Sequence, residues 1–234
     1  MDTGHQREVK LQLGYFFFPR WSPDGRDLLV RGRDRRGRND GLYLINVESG
    51  ETTLVVSPYP GQTMPQWSGD GRHVYYRRGA SVIERSLASG DERELARIPG
   101  ERPAEIAVSP DGRHVVYQAS QMPGADGLFI IPIAGGDPRL LMAVKLPERL
   151  MNRFDWTADG AAIAIATRRD DNADQALWLV PVDDRKPRRF DVDVDNWLIL
   201  DGFRFDRAGR QVAFVAATGT PGLEILALEN FLPR

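Results

Sequence analysis

Short apolar segments separated by turns recur along the whole chain, with the length and composition of strands. Five of them begin two residues after a glycine: DLLVRG, HVYYRR, HVVYQA, AIAIAT and QVAFVAA. A second apolar segment follows each after a loop: GLYLINV, SVIERSL, GLFIIPI, ALWLVPV and LEILAL. All are shorter than an ordinary helix and rich in β-branched or aromatic residues, so the pattern predicts antiparallel strands.

The glycines before the first segments define a repeat. They are Gly25, Gly71, Gly112, Gly160 and Gly209, which places successive markers 46, 41, 48 and 49 residues apart. A strand precedes each glycine, and a polar alternating segment closes the first four repeats: ETTLVVS, ERELARI, PRLLMAV and PRRFDVDV. We therefore predict four antiparallel strands in each complete repeat.

Polarity changes across each repeat in a way that indicates an architecture. The second strand is apolar along its whole length, as in a strand buried on both faces. The fourth strand alternates between apolar and polar residues and carries charges, as an exposed edge strand does. Sheets that are buried inside and solvated outside form β-propeller blades. We predict an all-β, five-bladed β-propeller in one domain, residues 1–234, with four-stranded antiparallel blades at about 15–57, 61–98, 103–144, 151–194 and 201–232.

A turn with related letters precedes every marker glycine: WSPDG, WSGDG, VSPDG, WTADG and FDRAG. Ser and Asp accept local backbone hydrogen bonds, and Gly takes a positive φ, so these letters predict the turn between the two innermost strands. We interpret the four aspartates in them as turn formers: Asp24, Asp70, Asp111 and Asp159.

The two ends of the chain bear on how the last blade is completed. The fifth repeat stops after its third strand, LEILAL, and REVKLQL at residues 7–13 alternates like an outer strand. We predict that residues 7–13 pair beside residues 223–228 and close the ring, which removes an open sheet edge. In the alternative, residues 7–13 are the last strand of an earlier blade of a longer protein, and the same letters fit.

Four of the repeats, read as F-P-R-W-S-P-D-G, M-P-Q-W-S-G-D-G, I-A-V-S-P-D-G and F-D-W-T-A-D-G, resemble the TolB-like propeller repeat, the Pro-Asp relative of WD-type repeats. The resemblance extends from about residue 9 to residue 232. TolB has six blades, whereas five repeats are present here. The ending L-A-L-E-N-F-L-P-R also resembles propellers attached to bacterial regulators and Ser/Thr kinases, which implies a sensory or docking role.

Composition narrows the classes of partner. Acidic residues number 33 and basic residues 31, a net charge of -2, so we expect no binding to nucleic acid. The apolar segments are far shorter than the roughly 20 residues of a membrane helix, so we expect no membrane insertion. We also expect a monomer. The compartment stays open: cytoplasmic if Met1 is the native start, periplasmic or extracytoplasmic if the chain is excised from a larger sensor.

Catalytic and metal-binding motifs are scarce in the sequence. No cysteine and no G-x-S-x-G elbow is present, and two of the three histidines, His73 and His114, share one repeat position. The stretch DVDVDN at 191–196 lacks the glycine and the glutamate of a calcium loop, so we interpret it as an outer strand. We therefore predict a protein that is not an enzyme, with no catalytic residue, metal or cofactor.

Charged residues near the predicted axis leave two alternatives open. The innermost strands bring seven polar residues there: Arg20, Gln66, Glu105, Arg153, Asp155, Asp201 and Arg204. Three of them are carboxylates, as a channel-centred carbohydrate-active enzyme would need. The arginines are expected to pair with those carboxylates, because buried charges are normally compensated. A small-ligand or metal-sensing site on the axis is the other alternative.

Apolar residues in loops mark a candidate binding face. Loops at 14–19, 57–64, 145–152 and 195–202 carry residues outside the repeated pattern: Tyr15, Phe16, Tyr59, Met151, Trp197 and Leu198. Aromatic residues beside arginines are typical anchors of protein interfaces. We predict a non-catalytic docking or sensory module that binds a protein or peptide through this face. The alternative, that these residues plug the channel, remains open.

Overall fold

The computed structural model describes residues 11–59, 64–98, 105–122, 125–170, 175–190, 197–205, 211–218 and 224–229. For residues 120–122, 152–153 and all those from 197 onward, the backbone alone is described. Every regular element in these ranges is a β-strand. The described part of the chain contains no helix long and apolar enough to cross a bilayer. The chain divides into two compact units, residues 1–95 and 96–234.

The first unit contains two four-stranded antiparallel sheets. One has the order β1-β2-β3-β4, formed by Leu13–Trp21, Asp27–Asp34, Asp40–Asn46 and Thr52–Val56. The other has the order β5-β6-β7-β8, formed by Gln66–Trp67, His73–Arg78, Ser81–Ser86 and Glu92–Arg97. Each sheet is one sequence repeat, with strands in chain order.

The second unit contains three further sheets. β9 to β12 are Ile106–Val108, His114–Met122, Ala125–Pro132 and Arg139–Lys145; β13 to β16 are Glu148–Trp156, Ala162–Arg169, Gln175–Pro181 and Arg188–Arg189. The last sheet has three strands, β17 to β19: Trp197–Phe205, Gln211–Thr218 and Glu224–Glu229. All its described pairings are antiparallel.

The predicted strands and their antiparallel order are confirmed, but the prediction of five complete four-stranded blades is wrong. Within the described residues, four sheets have four strands and the fifth repeat forms three. Residues 7–10 lie outside the described residues, and Leu13, the last residue of the predicted closing strand, pairs with Asp34 in the first sheet. Leu11 also packs on that sheet, because its apolar side chain meets the cluster of Val30, Tyr43 and Leu13.

Central strands are buried on both faces, as their continuous apolar sequences predict. Leu29 and Val30 are neighbours on β2, point to opposite sides and are both fully buried. Leu29 packs with Val74 and Tyr76 of the next sheet. In the second unit, Val116 and Ile163 belong to one continuous cluster. Each such side chain contributes roughly 1.5–3 kcal/mol of transfer free energy.

The repeated turn has the same hydrogen bonds in four repeats. The Ser22 hydroxyl donates to Asp24 Oδ1 (2.6 Å) and accepts from the backbone N–H groups of Arg26 (3.1 Å) and Asp27 (2.9 Å). Ser68, Ser109 and Thr157 donate in the same way to the aspartates two residues later, at 2.5–2.6 Å. The glycine that follows has a φ between 68° and 74° in all four turns. The turn-forming role of the aspartates is thus confirmed.

These hydrogen bonds make stability sensitive to acid. The Thr157 hydroxyl, followed by the Ala161 N–H, lowers the pKa of Asp159 below 3.8, its ordinary value. A carboxyl group with a lower pKa in the folded state stabilises the fold above its unfolded pKa, and this contribution is lost as the pH falls through the folded pKa. The same direction holds for Asp24, Asp70 and Asp111, each with a Ser hydroxyl as the largest cause.

Asp159→Asn is therefore expected to unfold at a lower temperature than the parent protein at pH 7, and the difference is expected to narrow as the pH falls below 3.8. Thermal unfolding recorded at a series of pH values measures this. Asp137→Asn is the matched control, because Asp137 is exposed in a loop and makes no hydrogen bond within the described residues. An unchanged Asp159→Asn melting temperature at pH 7 would show that the charged turn contributes nothing.

Candidate functional site

Four aromatic side chains on β1 are exposed to solvent, and we call them the aromatic strip: Tyr15, Phe16, Phe17 and Trp21. Their exposed fractions are 42%, 40%, 54% and 62%. On β13, the corresponding inner strand of the fourth repeat, Phe154 and Trp156 are each 5% exposed. Tyr15 and Phe17 lie on one face of β1 with their rings in contact, whereas Phe16, opposite Gly32, lies on the other face. Exposed large apolar residues are typical of a binding surface.

The local backbone of β1 is irregular on both sides of Tyr15, Phe16 and Phe17. Register shifts interrupt the pairing with β2 between Leu13 and Tyr15 and again between Phe17 and Arg20. Within the second shift, Phe18 has a φ of 56°, the one positive value that the described residues show outside glycine. A left-handed conformation costs a residue with a side chain about 1–2 kcal/mol. Such strain and bulges are concentrated at functional sites, where they redirect side chains.

Arginines lie beside the strip and give it a positive charge. The rings of Tyr15 and Phe17 lie 5.4 Å apart, and the Arg33 guanidinium lies 5.8 Å from the Tyr15 centroid. Arg33 and Arg31 both approach the Asp40 carboxylate, at 3.8 and 3.6 Å. Two guanidinium groups share one carboxylate, so these three side chains together carry a net charge of +1. The strip therefore suits a ligand with apolar and acidic groups.

The other predicted residues of the binding face have different surroundings. Tyr59 is 8% exposed, its ring lies 6.1 Å from that of Tyr76, and Arg31 covers it at 5.7 Å, so it belongs to the core of the first unit. Met151 is half-buried on β13. Trp197 and Leu198 begin β17, opposite Thr218 and Ala217, and their side chains are outside the described set.

The predicted channel residues of the first unit lie on inner strands. Arg20 lies on β1 and pairs with Leu29 of β2. Its Nη2 donates to Met64 Sδ at 3.1 Å, and its buried Nε has no hydrogen-bond partner within the described residues. Gln66 is half-buried and pairs with Tyr75. Among the ion pairs of the described residues, Arg20 has no carboxylate within salt-bridge distance.

In the second unit, Glu105 is 8% exposed and its carbonyl accepts a 3.4 Å hydrogen bond from Gln118 N. Asp155 is half-buried on β13, and its Oδ1 accepts from Trp156 N at 2.9 Å. Arg153, Asp201 and Arg204 lie on β13 and β17, with side chains that are not described. Residues 191–196 lie outside the described residues. Among the side chains that are described, no three His, Asp or Glu residues form a group that would hold a metal.

A tryptophan contact links neighbouring sheets within each unit, and sequence analysis missed it. The Trp67 indole N–H donates to the Arg20 carbonyl at 3.0 Å, and the Trp156 indole N–H donates to the Ala107 carbonyl at 3.0 Å. Each acceptor immediately precedes the Trp position of the preceding repeat. Trp21 occupies the same repeat position but is mostly exposed. The adjacent run of three phenylalanines was the available signal that this first strand differs.

Comparison with known proteins identifies the fold. No family model matches the chain. A segment of 131 residues, 54% of the chain, is 34% identical to the uncharacterized peptidase YuxL of Bacillus subtilis, and it covers 18% of that protein's length. The putative TolB of Agrobacterium tumefaciens has a similar structure, with a TM-score of 0.66 and 16% identity over 92% of this chain and 77% of that one. A prolyl endopeptidase also matches, with a TM-score of 0.60 and 15% identity over 97% of this chain and 36% of that one.

The chain therefore has the TolB-like β-propeller fold, as its repeats predict. The prediction that it is not an enzyme is wrong, because the curated relative is a peptidase and a prolyl endopeptidase shares the fold. The sequence could not reveal this because the repeated turns and strands determine how the blades pack, and catalytic and non-catalytic propellers pack in the same way. The chain spans less than a fifth of the length of this relative.

Proposed function

We propose that this propeller is the peptide-binding part of a peptidase, and that the aromatic strip is the surface that holds the peptide. The observation that carries the proposal is the set of four aromatic side chains, 40–62% exposed, on one irregular strand. The similarity to a peptidase supports peptide as the ligand class. Protein or peptide binding was also the function that the sequence predicted for Tyr15 and Phe16.

The chemistry of the strip favours particular peptides. Tyr and Trp rings provide a large contact area with little loss of conformational entropy, and ring faces suit apolar side chains. The net positive charge of Arg31, Arg33 and Asp40 taken together favours an acidic residue nearby. We therefore expect the best ligands to place an apolar residue next to Glu or Asp.

Isothermal titration with an octapeptide that carries Glu-Pro-Phe-Glu at its centre tests the proposal. Phe17→Ala and Trp21→Ala are each expected to raise its Kd about tenfold, a loss of about 1.4 kcal/mol. The rate of cleavage of the same peptide by the native protein is measured in parallel. Melting temperatures should change little, because both side chains are mainly exposed.

Leu140→Ala is the matched control for this titration. Leu140 is 48% exposed on β12 in the second unit, so the change removes an exposed apolar side chain that is not part of the strip. Its affinity is expected to equal that of the parent protein. Equal affinities for Phe17→Ala, Trp21→Ala and the parent protein would refute the aromatic strip as the peptide site.

A further inference from the structure

The first unit contains a groove with a volume of about 420 Å³, and no residue of the aromatic strip lines it. One wall is formed by the outer strand β4 and the residues after it, and the other by side chains from β6, β7 and β8 of the second sheet. All the lining residues are described. The volume lies in the range of small-molecule sites, roughly 300–1,000 Å³.

The wall from the first sheet is apolar. Leu54 is 41% exposed, which is high for a leucine on a strand, and Val55 beside it is half-buried. Pro58 continues the wall and is exposed. These side chains offer contact to an apolar group of roughly the size of an aromatic ring or a short alkyl chain, because burying apolar surface is favourable.

The opposite wall is charged, and its charges are unequal. The Glu92 carboxylate accepts from Arg78 Nη1 (2.8 Å), Arg85 Nη1 (3.1 Å) and the Tyr76 hydroxyl (2.5 Å). Arg78 Nη2 also donates to the Tyr76 hydroxyl (3.0 Å). Two guanidinium groups therefore surround one carboxylate, which leaves one positive charge in the groove. Both oxygens of Glu92 are already engaged.

The two arginines retain capacity for a further anion. A guanidinium group has five N–H donors, and the described hydrogen bonds use two on Arg78 and one on Arg85. The side chain of Arg78 is 47% exposed and that of Arg85 is 25% exposed, so the remaining donors are accessible from the groove. Guanidinium geometry matches a carboxylate through two parallel hydrogen bonds.

We propose that this groove binds a small monoanionic carboxylate with an apolar tail. The carboxylate takes the place opposite Glu92, where it receives hydrogen bonds from Arg78 and Arg85, and the tail lies against Leu54, Val55 and Pro58. One added negative charge neutralises the groove, whereas a cation would increase its positive charge. Two sources supply this chemistry, a free organic acid and the C-terminal residue of a peptide. The groove uses residues outside the aromatic strip, so this site stands apart from the proposed peptidase role.

Isothermal titration with 4-phenylbutanoate tests the site, with 4-phenylbutanamide as the neutral probe of matched shape. We expect saturable binding of one equivalent of the carboxylate and at least tenfold weaker binding of the amide. A tripeptide that ends in phenylalanine with a free carboxylate forms a parallel titration. Tighter binding of the tripeptide or of the organic acid identifies the natural source, and either result supports the groove.

Matched variants separate the groove from unspecific binding. Leu54→Asp is expected to abolish binding, because it places a like charge in the apolar wall. Leu140→Asp makes the same change on β12 and should leave binding unchanged. Leu140 is the matched position because it pairs with Phe129, just as Leu54 pairs with Tyr43. Arg85→Gln should weaken binding at least tenfold, with the melting temperature recorded. Equal binding of carboxylate and amide, wild-type affinity in Leu54→Asp, or no saturable binding would overturn the proposal.

Discussion

Trp156→Ala is expected to lower the free energy of unfolding by about 3–5 kcal/mol, as large aromatic truncations in cores do. Trp156 is 5% exposed and packs in one cluster with Ala107, Val116 and Ile163. Its indole N–H also donates to the Ala107 carbonyl, so truncation leaves that buried carbonyl without this partner. Urea denaturation followed by circular dichroism measures the change.

Trp21→Ala is the control, because Trp21 has the same repeat position, followed by Ser22 where Trp156 is followed by Thr157, but is 62% exposed. Its effect on the free energy of unfolding is expected to stay within about 0.5 kcal/mol, as for exposed positions in general. Comparable losses in the two variants would mean that Trp21 is packed like its counterpart. The aromatic strip would then not be an open surface.

Gly41→Ala is expected to cost about 1–3 kcal/mol, the usual range for forcing an extra methyl group into packed structure. A Cβ at this position would lie 2.4 Å from the Val56 carbonyl oxygen and 2.5 Å from Leu54 Cδ1. The first obstacle is backbone, held by the pairing of Leu42 with Val56 in the same sheet. The variant must therefore shift β4 away from β3.

Gly14→Ala serves as the comparison in the same sheet. A Cβ there would come no closer than 3.3 Å to its neighbours, at Asp34 O, and Gly14 is exposed. Its unfolding free energy, measured by the same urea titration, should change by no more than about 0.5 kcal/mol. A Gly41→Ala protein as stable as Gly14→Ala would contradict the close approach of β3 and β4.

The fold was largely predictable because its signals are local. The hydrogen bonds of each Ser-x-Asp-Gly turn join residues no more than five positions apart, so the letters alone determine the turn. The number of complete blades was not predictable in the same way. Outer strands are polar and weakly patterned, and β16 is reduced to two residues. Which chain segment completes a sheet depends on distant contacts that no local pattern encodes.

The candidate site was predictable only in part. Tyr15 and Phe16, which are exposed, could be selected from the sequence because they lie outside the repeated strand pattern. Trp21 was missed because its surrounding sequence, PRWSPDG, resembles PQWSGDG around Trp67, and its exposure depends on what packs beside it. Tyr59 was misplaced because its loop position hid its contact with Tyr76. The similarity to a peptidase had no counterpart in any motif of the 234 residues.

Amide hydrogen exchange, recorded by mass spectrometry with and without the octapeptide, tests the proposed peptide site most directly. We predict slower exchange in residues 13–21, which carry the aromatic strip, and in the adjacent residues 27–34, with unchanged exchange in residues 162–169 of the second unit. Slower exchange confined to the second unit, or no change in residues 13–21 at saturating peptide, would contradict the assignment of peptide binding to β1.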